Sequence, residues 1–550
     1  MKLKLAALAL AVGTLTPSVA DAFCGFYVSN GDQKMFNDAT QVVLMHMNTR
    51  TVLSMQNNYK GPPEDFALVI PVPVVLHEGD VKTLDNGVFA HVEAMGAPRL
   101  VEYWEQDPCG TGDELSKDER AFPPQAMAAD SAAMGSSSSG VTIEAKFTVG
   151  EYNILILSAK DSTGLDTWLK QEKYKIPAGA EPLLRPYVES GMKFFVAKVD
   201  PKKVKFVPDT GPNQVGSATR RAALSPLRFH YDSDEFALPI RLGLANSSGT
   251  QDLIVNILAP QQRYEVANYK NVTIPTNIDV SAAMKDKFAA FYTALFDRTV
   301  EKHPGAVVTE YAWQATTCDP CPGPALDQND FLTLGADVLG GAKGQPTLYS
   351  NADFVLTRLH ARYGKDSGPG GTMIDDLRFK TAPPIAGGRE FLVKPAGTDP
   401  WSQDPSNMKL EEGSTPAPEN NFQGRYAIRH AWTGPVACDK PIRKRWGGQD
   451  GRMAAAPQPA MNLAFAPRGE IKLQSVVQRD VPELDLKSEV TAVIATPNPP
   501  PVGSATTPAS PRPDIRPKSG CGCQTGSPSD LGGLVMGLGV FVWVRRRRAS

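Results

Sequence analysis

Runs of alternating or wholly apolar residues recur along most of the chain, each closed by a cluster of Gly, Pro, Asn or Asp, and this rhythm predicts a protein built mainly of strands. Gln41 to Leu53 reads as two strands turning near Asn48-Thr49-Arg50. Phe66 to Val75 is apolar on both faces, and its prolines, Pro71 and Pro73, lie two apart. Both missing N–H groups then fall on one side, which predicts a strand at a sheet edge. Further strands are expected at Val88 to Met95, Leu100 to Trp104, Thr142 to Val149, Tyr152 to Leu157, Met192 to Val199, Leu253 to Leu258, Tyr264 to Ile274, Phe354 to Tyr363, Gln423 to Trp432 and Val476 to Ile494. Helical spacing is rarer. Leu165, Trp168 and Leu169 suggest one short helix, and Met284, Phe288, Phe291 and Leu295 place a core face on a longer one over 281–300.

Between these runs the chain is polar. Residues 111–140, with Ser136 to Ser139, read as a low-complexity solvated loop, 208–224 as a second loop, and 381–421 as a Pro- and Gly-rich connection. Some vocabulary repeats: Phe236-Ala237-Leu238 echoes Phe66-Ala67-Leu68, and Glu310-Tyr311-Ala312-Trp313 ahead of Cys318 echoes Glu102-Tyr103-Trp104 ahead of Cys109. The echo hints at two related lobes, although the spacings between the repeats differ widely. The predicted class is therefore α+β: strand-rich, with few helices.

The two ends have their own character. Lys2 and Lys4, an apolar stretch from Leu5 to Val12, and Ala20-Asp21-Ala22 predict a signal peptide over 1–22, cut between Ala22 and Phe23. A lipoprotein cut before Cys24 would need a small residue where Phe23 stands, so Cys24 is left to make a disulfide. At the other end, Gly520-Cys521-Gly522-Cys523 leads through a polar spacer to an apolar run, Leu531 to Val544, and then to Arg545, Arg546, Arg547 and Arg548. As a helix that run would span roughly 21 Å against a hydrocarbon core of about 30 Å. It suits a transient membrane stop with the arginines on the cytoplasmic side, or else a short single-span anchor; either leaves the body outside. Residues 486–520 are the expected spacer, proline-dense from Pro497 to Ser519.

Composition sharpens this reading only in part. Gly and Pro, 47 of each, favour turns and extended chain over a helical bundle. The formal charge is −2, of which the leader holds +1 and residues 523–550 hold +3, leaving about −6 on the body. An acidic body lacking a basic stripe argues against nucleic acid or anionic lipid as a partner.

The tail resembles the MYXO-CTERM sorting signal of myxobacterial surface proteins: a Gly-Cys pair, a short apolar segment and a terminal arginine cluster. The resemblance implies cutting by a rhombosortase-like or myxosortase-like membrane protease and attachment to the cell envelope, with Cys521 or Cys523 as the retained, lipid-modified residue. In the body, Cys24-Gly25-Phe26, the Ala67 to Val74 strand, Ala97 to Tyr103, Tyr152 to Ala159, Gly191 to Val199 and Cys318-Asp319-Pro320-Cys321 resemble the bacterial DUF 2330 family. The likeness runs from Phe23 to about Cys438, with 111–140 as an insertion. That family has no established activity, so the resemblance implies one evolutionary unit and no catalytic residue.

Export makes disulfides the default use of cysteine. Five cysteines lie in the body: Cys24, Cys109, Cys318, Cys321 and Cys438. Two bridges leave one thiol over, and sequence alone allows about fifteen arrangements. The expectation is Cys24 with Cys109, and Cys438 with Cys318 or Cys321. The rival reading makes Cys318 and Cys321 a redox pair, although Pro322, Gly323 and Pro324 disfavour the helix that such a motif usually opens. No metal is expected, since zinc would need two further ligands at a suitable spacing. His77-Glu78 reads as a turn and not as a zinc-protease helix, and Gly335 to Gly341 resembles a phosphate loop only until its lysine, displaced to Lys343. Asp232, Asp234 and Glu235 suit a solvated turn better than a calcium site. Tyr103, Trp104, Tyr311, Trp313 and Trp432 could line a ligand groove, against the plainer reading that strand aromatics are core.

Together these readings give a signal peptide (1–22), a disulfide-braced exported body (23–485), a spacer (486–520) and a sorting tail (521–550). The expected role is binding or envelope structure at the cell surface, with the envelope and a sorting protease as partners and no cofactor. An extracytoplasmic thiol-disulfide oxidoreductase using Cys318 and Cys321 is the alternative.

Overall fold

Asn48, in a left-handed conformation with φ of 55°, turns the expected hairpin between strands Ala39–Met47 and Arg50–Met55. This hairpin sits inside an 11-stranded mixed sheet. In the computed structural model the described residues are 26–29, 39–56, 66–109 and 141–490, the last with interruptions. Ala22, Phe23, Cys24, the 111–140 loop, and the tail with Cys521, Cys523 and Arg545 to Arg548 lie outside them. No helix among the described residues is long and apolar enough to cross a membrane.

The centre of the large sheet is the antiparallel pair Gln251–Pro260 and Phe354–Tyr363, flanked by Ala39–Met47 running parallel to the first and by Val307–Gln314 running antiparallel to the second. All four are buried on both faces, which is why they read as near-continuous apolar runs. On one face Val42, Leu44, Leu253, Val255, Ile257 and Leu359 pack into a core shared with a five-stranded sheet made of Phe26–Ser29, Phe66–Val72, Lys193–Val199, Tyr152–Ala159 and Val141–Val149. The other face is covered by two separate apolar clusters. One gathers around the helix Phe288–Lys302, the other around the helix Gly87–Gly96. A third sheet joins Arg99–Glu105 to Arg425–His430 in parallel. The described body is thus α+β and strand-rich, as its patterning predicts.

Several elements differ from expectation. Tyr264 to Ile274 is two short strands, Arg263–Val266 and Asn271–Thr273, in separate sheets. Phe66–Val72 is an interior strand, paired with Phe26–Ser29 on one side and Lys193–Val199 on the other. Its neighbour Phe26–Ser29 reaches only to Val69, so Pro71 lies where that side needs no donor, and Pro73 lies beyond the strand. Val88 to Met95 is helical: Val88, Phe89, Val92 and Met95 share one buried face, and the Asp85 carboxylate accepts from the Gly87 N–H where the helix begins. Tertiary burial there outweighs the strand preference of two valines and a phenylalanine. Val476 to Leu486 forms no ladder strand, only single bridges to Val280 and between Val481 and Leu486. Its Val477, Val481, Leu484 and Leu486 are anchors buried against the Phe288–Lys302 helix, and hydrogen-bonded chain continues to Val490.

Helix Glu181–Glu189 escaped the sequence reading because Pro182 and Pro186 fall inside its pattern. The echoing segments occupy different surroundings. Arg99–Glu105 pairs in parallel with Arg425–His430, whereas Val307–Gln314 lies antiparallel within the large sheet.

Candidate functional site

Between the two apolar clusters on the covered face of the large sheet runs a polar row. On Phe354–Tyr363, residues Arg358, His360 and Arg362 alternate with Leu359, Ala361 and Tyr363, so the charged set faces the helices and the apolar set faces the main core. Directly across from Arg358 stand Asn256 on one neighbour and Tyr311 on the other. A bulge between Thr309 and Tyr311 inserts Glu310 as an extra residue. Bulges re-aim side chains, and this one directs a carboxylate into the row.

Glu310 accepts three bonds, from Arg358 Nε and His360 Nδ1 at 2.7 Å each and from the Tyr292 hydroxyl at 2.5 Å. Neither the Arg358 nor the Glu310 side chain has any exposed surface. Burial pushes the Glu310 carboxyl up, but the His360 and Arg358 charges outweigh it and hold its pKa near about 2. For His360 burial works downward, and the Glu310 charge with the Asp252 and Glu310 hydrogen bonds overcomes it, so its pKa is raised. Burial and the adjacent carboxylate together drive the Tyr292 hydroxyl well above its ordinary value. The His360 ring stacks on Phe296 at 3.7 Å, which fixes its plane. Its other nitrogen lies 3.4 Å from Asp252, and Asp252 in turn binds Arg362 and Arg468, both also paired with Asp297. Charge therefore runs in alternating sign from the interior to the surface. Such a ladder is built to hold strands and helix in register.

The cysteines pair differently from expectation. Cys109 bridges Cys438, with Cα atoms 5.5 Å apart, and Cys318 bridges Cys321, with Cα atoms 5.0 Å apart. The first pairing follows from topology, because Cys109 and Cys438 follow the C-terminal ends of two parallel neighbours, Arg99–Glu105 and Arg425–His430. Cys318 packs against Met95 at 3.9 Å while Cys321 is exposed. The loop between them is held from below by two fully buried side chains: Arg99 donates to the Pro320 carbonyl at 2.9 Å, and Gln423 donates to the Asp319 carbonyl.

The other sequence leads disperse. Tyr103, Tyr311 and Trp313 are core, at 6% exposure or less. Trp104 is half-buried and stacks on His430 at 4.7 Å, and the half-buried Trp432 donates its backbone N–H to the Glu105 carboxylate. The five aromatics line no common groove. Asp232 is engaged by Arg50 at 2.7 Å, and no group of three His, Cys, Asp or Glu side chains among the described residues is placed to hold a metal. Glu78–Asp80 is a short 3-10 turn. Gly335 packs on Val52, where a Cβ would stand 2.7 Å from a methyl group, so it serves packing and not a phosphate.

Two clefts stand apart from the row. One of about 350 Å³ includes Tyr187, Arg241, Asp375, Asp376 and Arg378. In it Asp376 accepts from Tyr187 at 2.6 Å, and burial pushes its carboxyl up. The larger, about 530 Å³, lies beside the Arg263–Val266 strand and the end of the Phe288–Lys302 helix, with Arg263, Glu265, Thr273, His303, Ser414 and Glu483 in its walls. Arg263 is 4% exposed, Nη2 donates to Glu265 at 2.8 Å, and Nη1 has no partner. Sequence reasoning missed both clefts and the polar row. The one available signal was Arg358-Leu359-His360-Ala361-Arg362, which mimics the solvent face of an ordinary strand.

No curated protein and no solved structure matches the chain. One family does, over residues 18–377, short of Cys438, where the sequence likeness ends. The strand Arg425–His430, which pairs with Arg99–Glu105, and Cys438, which bridges Cys109, lie beyond that match. With well over half of its length covered, the chain belongs to DUF2330, a family of uncharacterized proteins conserved in bacteria.

Proposed function

We propose that the protein is exported, displayed at the cell surface through its processed tail, and binds a small polar solute of sugar or amino-acid size in the Arg263–Glu483 cleft. The cleft carries this reading. It is large enough for such a solute, its walls mix both charges with the hydroxyls of Thr273 and Ser414, and Arg263 holds a buried, unpartnered Nη1 there. Buried guanidinium nitrogens are costly to leave unpaired, so a ligand oxygen at that point gains a charge-assisted bond. Saturation-transfer NMR on the full chain with a panel of monosaccharides and amino acids tests it. Saturation of at least one compound, lost in Arg263→Ala, is expected; no transfer, or transfer indifferent to the substitution, overturns it. Display has its own check. Protease treatment of intact cells should release the body of the wild type, and Cys521→Ser with Cys523→Ser should abolish that surface pool.

A second reading has one specific observation behind it: Cys318 and Cys321 are joined to each other and Cys321 is exposed. In exchange, an incoming thiolate would attack Cys321 Sγ, forming a mixed disulfide and releasing Cys318 as a thiolate. Equilibration with glutathione buffers followed by alkylation decides it. A pair that stays oxidised well below the potential of that buffer is a staple, and one that titrates within it is an exchanger.

A further inference from the structure

Among the described residues three arginines are at 1% exposure or less: Arg99 and Arg358 at 0% and Arg425 at 1%. Buried guanidinium groups ordinarily meet carboxylates, because an unpaired charge is costly to remove from water. Here the described bonds supply one. Arg358 reaches Glu310 through Nε alone, and that carboxylate is shared with His360. Arg99 donates to the carbonyls of Met95 and Pro320 and lies against the neutral Tyr311 side chain, and Arg425 donates to neutral oxygens of Asn277, Tyr103 and Arg389. The next carboxylate along, Asp252, is engaged by Arg362 and Arg468. These three guanidinium groups therefore outnumber the carboxylates bonded to them. The guanidinium groups feel one another: burial lowers the Arg99 pKa, and the Arg358 and Arg425 charges lower it further.

The surplus has a location. Arg358 Nη1 and Nη2, Asn256 Nδ2 and Arg99 Nε are buried donors with no hydrogen-bond partner, and the buried Asn256 Oδ1 and Tyr311 hydroxyl on the neighbouring strands have none either. Asn256 and Arg358 face each other across the sheet. Gly96, at the end of its helix, lies over them: a Cβ there would stand in ordinary contact, 3.4 Å from Arg358 Cδ and 3.5 Å from Asn256 Oδ1. The row of donors is thus walled by sheet below and helix above, next to the turn that leads into Arg99.

We propose that Arg358 and Asn256, with Arg99 beside them, form a buried site for one small monovalent anion of chloride size. The two Arg358 nitrogens present a fork, and the Asn256 amide adds a third donor from the neighbouring strand. A single halide satisfies these donors together and restores charge balance to the row.

Bromide is the probe. Crystals of the protein grown in sodium bromide should show one anomalous bromine peak within hydrogen-bonding distance of Arg358 Nη and Asn256 Nδ2. Thermal unfolding at constant ionic strength should shift upward by several degrees as chloride or bromide replaces gluconate, continuing to rise with the logarithm of halide concentration. Asn256→Asp supplies a resident carboxylate in place of the anion. In that variant the halide dependence should vanish while the melting temperature in gluconate meets or exceeds that of the wild type. Water at the site in bromide crystals with a halide-independent melting curve overturns the proposal. So does an Asn256→Asp protein that folds and keeps the full halide response.

Discussion

Glu310 Oε2 lies 2.7 Å from Arg358 Nε, and the bulge that brings them together places both where no water reaches. Removing one member of such a pair leaves the other charged and buried. Glu310→Gln should therefore cost roughly 3–5 kcal/mol of unfolding free energy, toward the upper end because His360 loses the same partner. Arg358→Met should cost less, since Glu310 keeps His360 and Tyr292. In urea titrations the double variant should fall short of the sum of the singles, and additivity would mean that the pair is not coupled.

The same cluster predicts a pH profile with two limbs. The Glu310 pKa is depressed from 4.5 to about 2, so its contribution is complete above pH 4.5 and is lost as pH falls toward 2. The His360 pKa is raised above 6.5, so its contribution is complete below pH 6.5 and is lost as pH rises through the folded-state value. Stability should peak between about pH 4.5 and 6.5. Melting curves of His360→Gln should flatten the alkaline limb and shrink the acid one, since the His360 charge is the largest that holds the Glu310 pKa down; an unchanged alkaline limb would assign that loss to another group.

Gly388 makes a backbone prediction. Its φ is +69°, and a Cβ would stand 1.9 Å from the Gln423 carbonyl oxygen and 2.5 Å from Thr276 Oγ1. The left-handed conformation and the overlap act in the same direction. Gly388→Ala should lose more than about 3 kcal/mol or fail to fold, whereas Gly191→Ala, with similar φ but open space, should lose only about 1 kcal/mol.

Strand content, the Asn48 hairpin and the Phe288 helix were legible because each carries a local period that tertiary burial reinforces. The Gly87–Gly96 helix was not, since Val88, Phe89 and Val92 favour strand locally and only the packing of Met95 and Val92 against the sheet settles the matter. The polar row was illegible for a different reason. Alternation of Arg358, His360 and Arg362 with apolar residues has the same form whether the charged face meets water or a helix. What distinguishes the cases is Glu310, contributed from another strand by a bulge that leaves no mark in sequence. Disulfide pairing fails likewise: Cys109 and Cys438 are 329 positions apart and become neighbours only through the parallel strands before them.

The two bridges should differ sharply in what they contribute. In the chain-entropy account, closing a loop of 329 residues restricts the unfolded chain by about 6 kcal/mol, and closing the Cys318–Cys321 turn by only about 2 kcal/mol. Observed values fall below such figures when the unfolded chain retains structure, yet the ranking survives. Cys109→Ser with Cys438→Ser should lower stability by roughly 3–5 kcal/mol, and Cys318→Ser with Cys321→Ser by no more than about 2 kcal/mol. The parallel pair Arg99–Glu105 and Arg425–His430 explains why the long bridge matters further, since its loss frees the C-terminal ends of both strands. Denaturant unfolding of the two double variants side by side checks the order. Equal losses would show that the Arg99 and Gln423 contacts under the Cys318–Cys321 loop, and not the length of chain enclosed, govern what a bridge is worth in this fold.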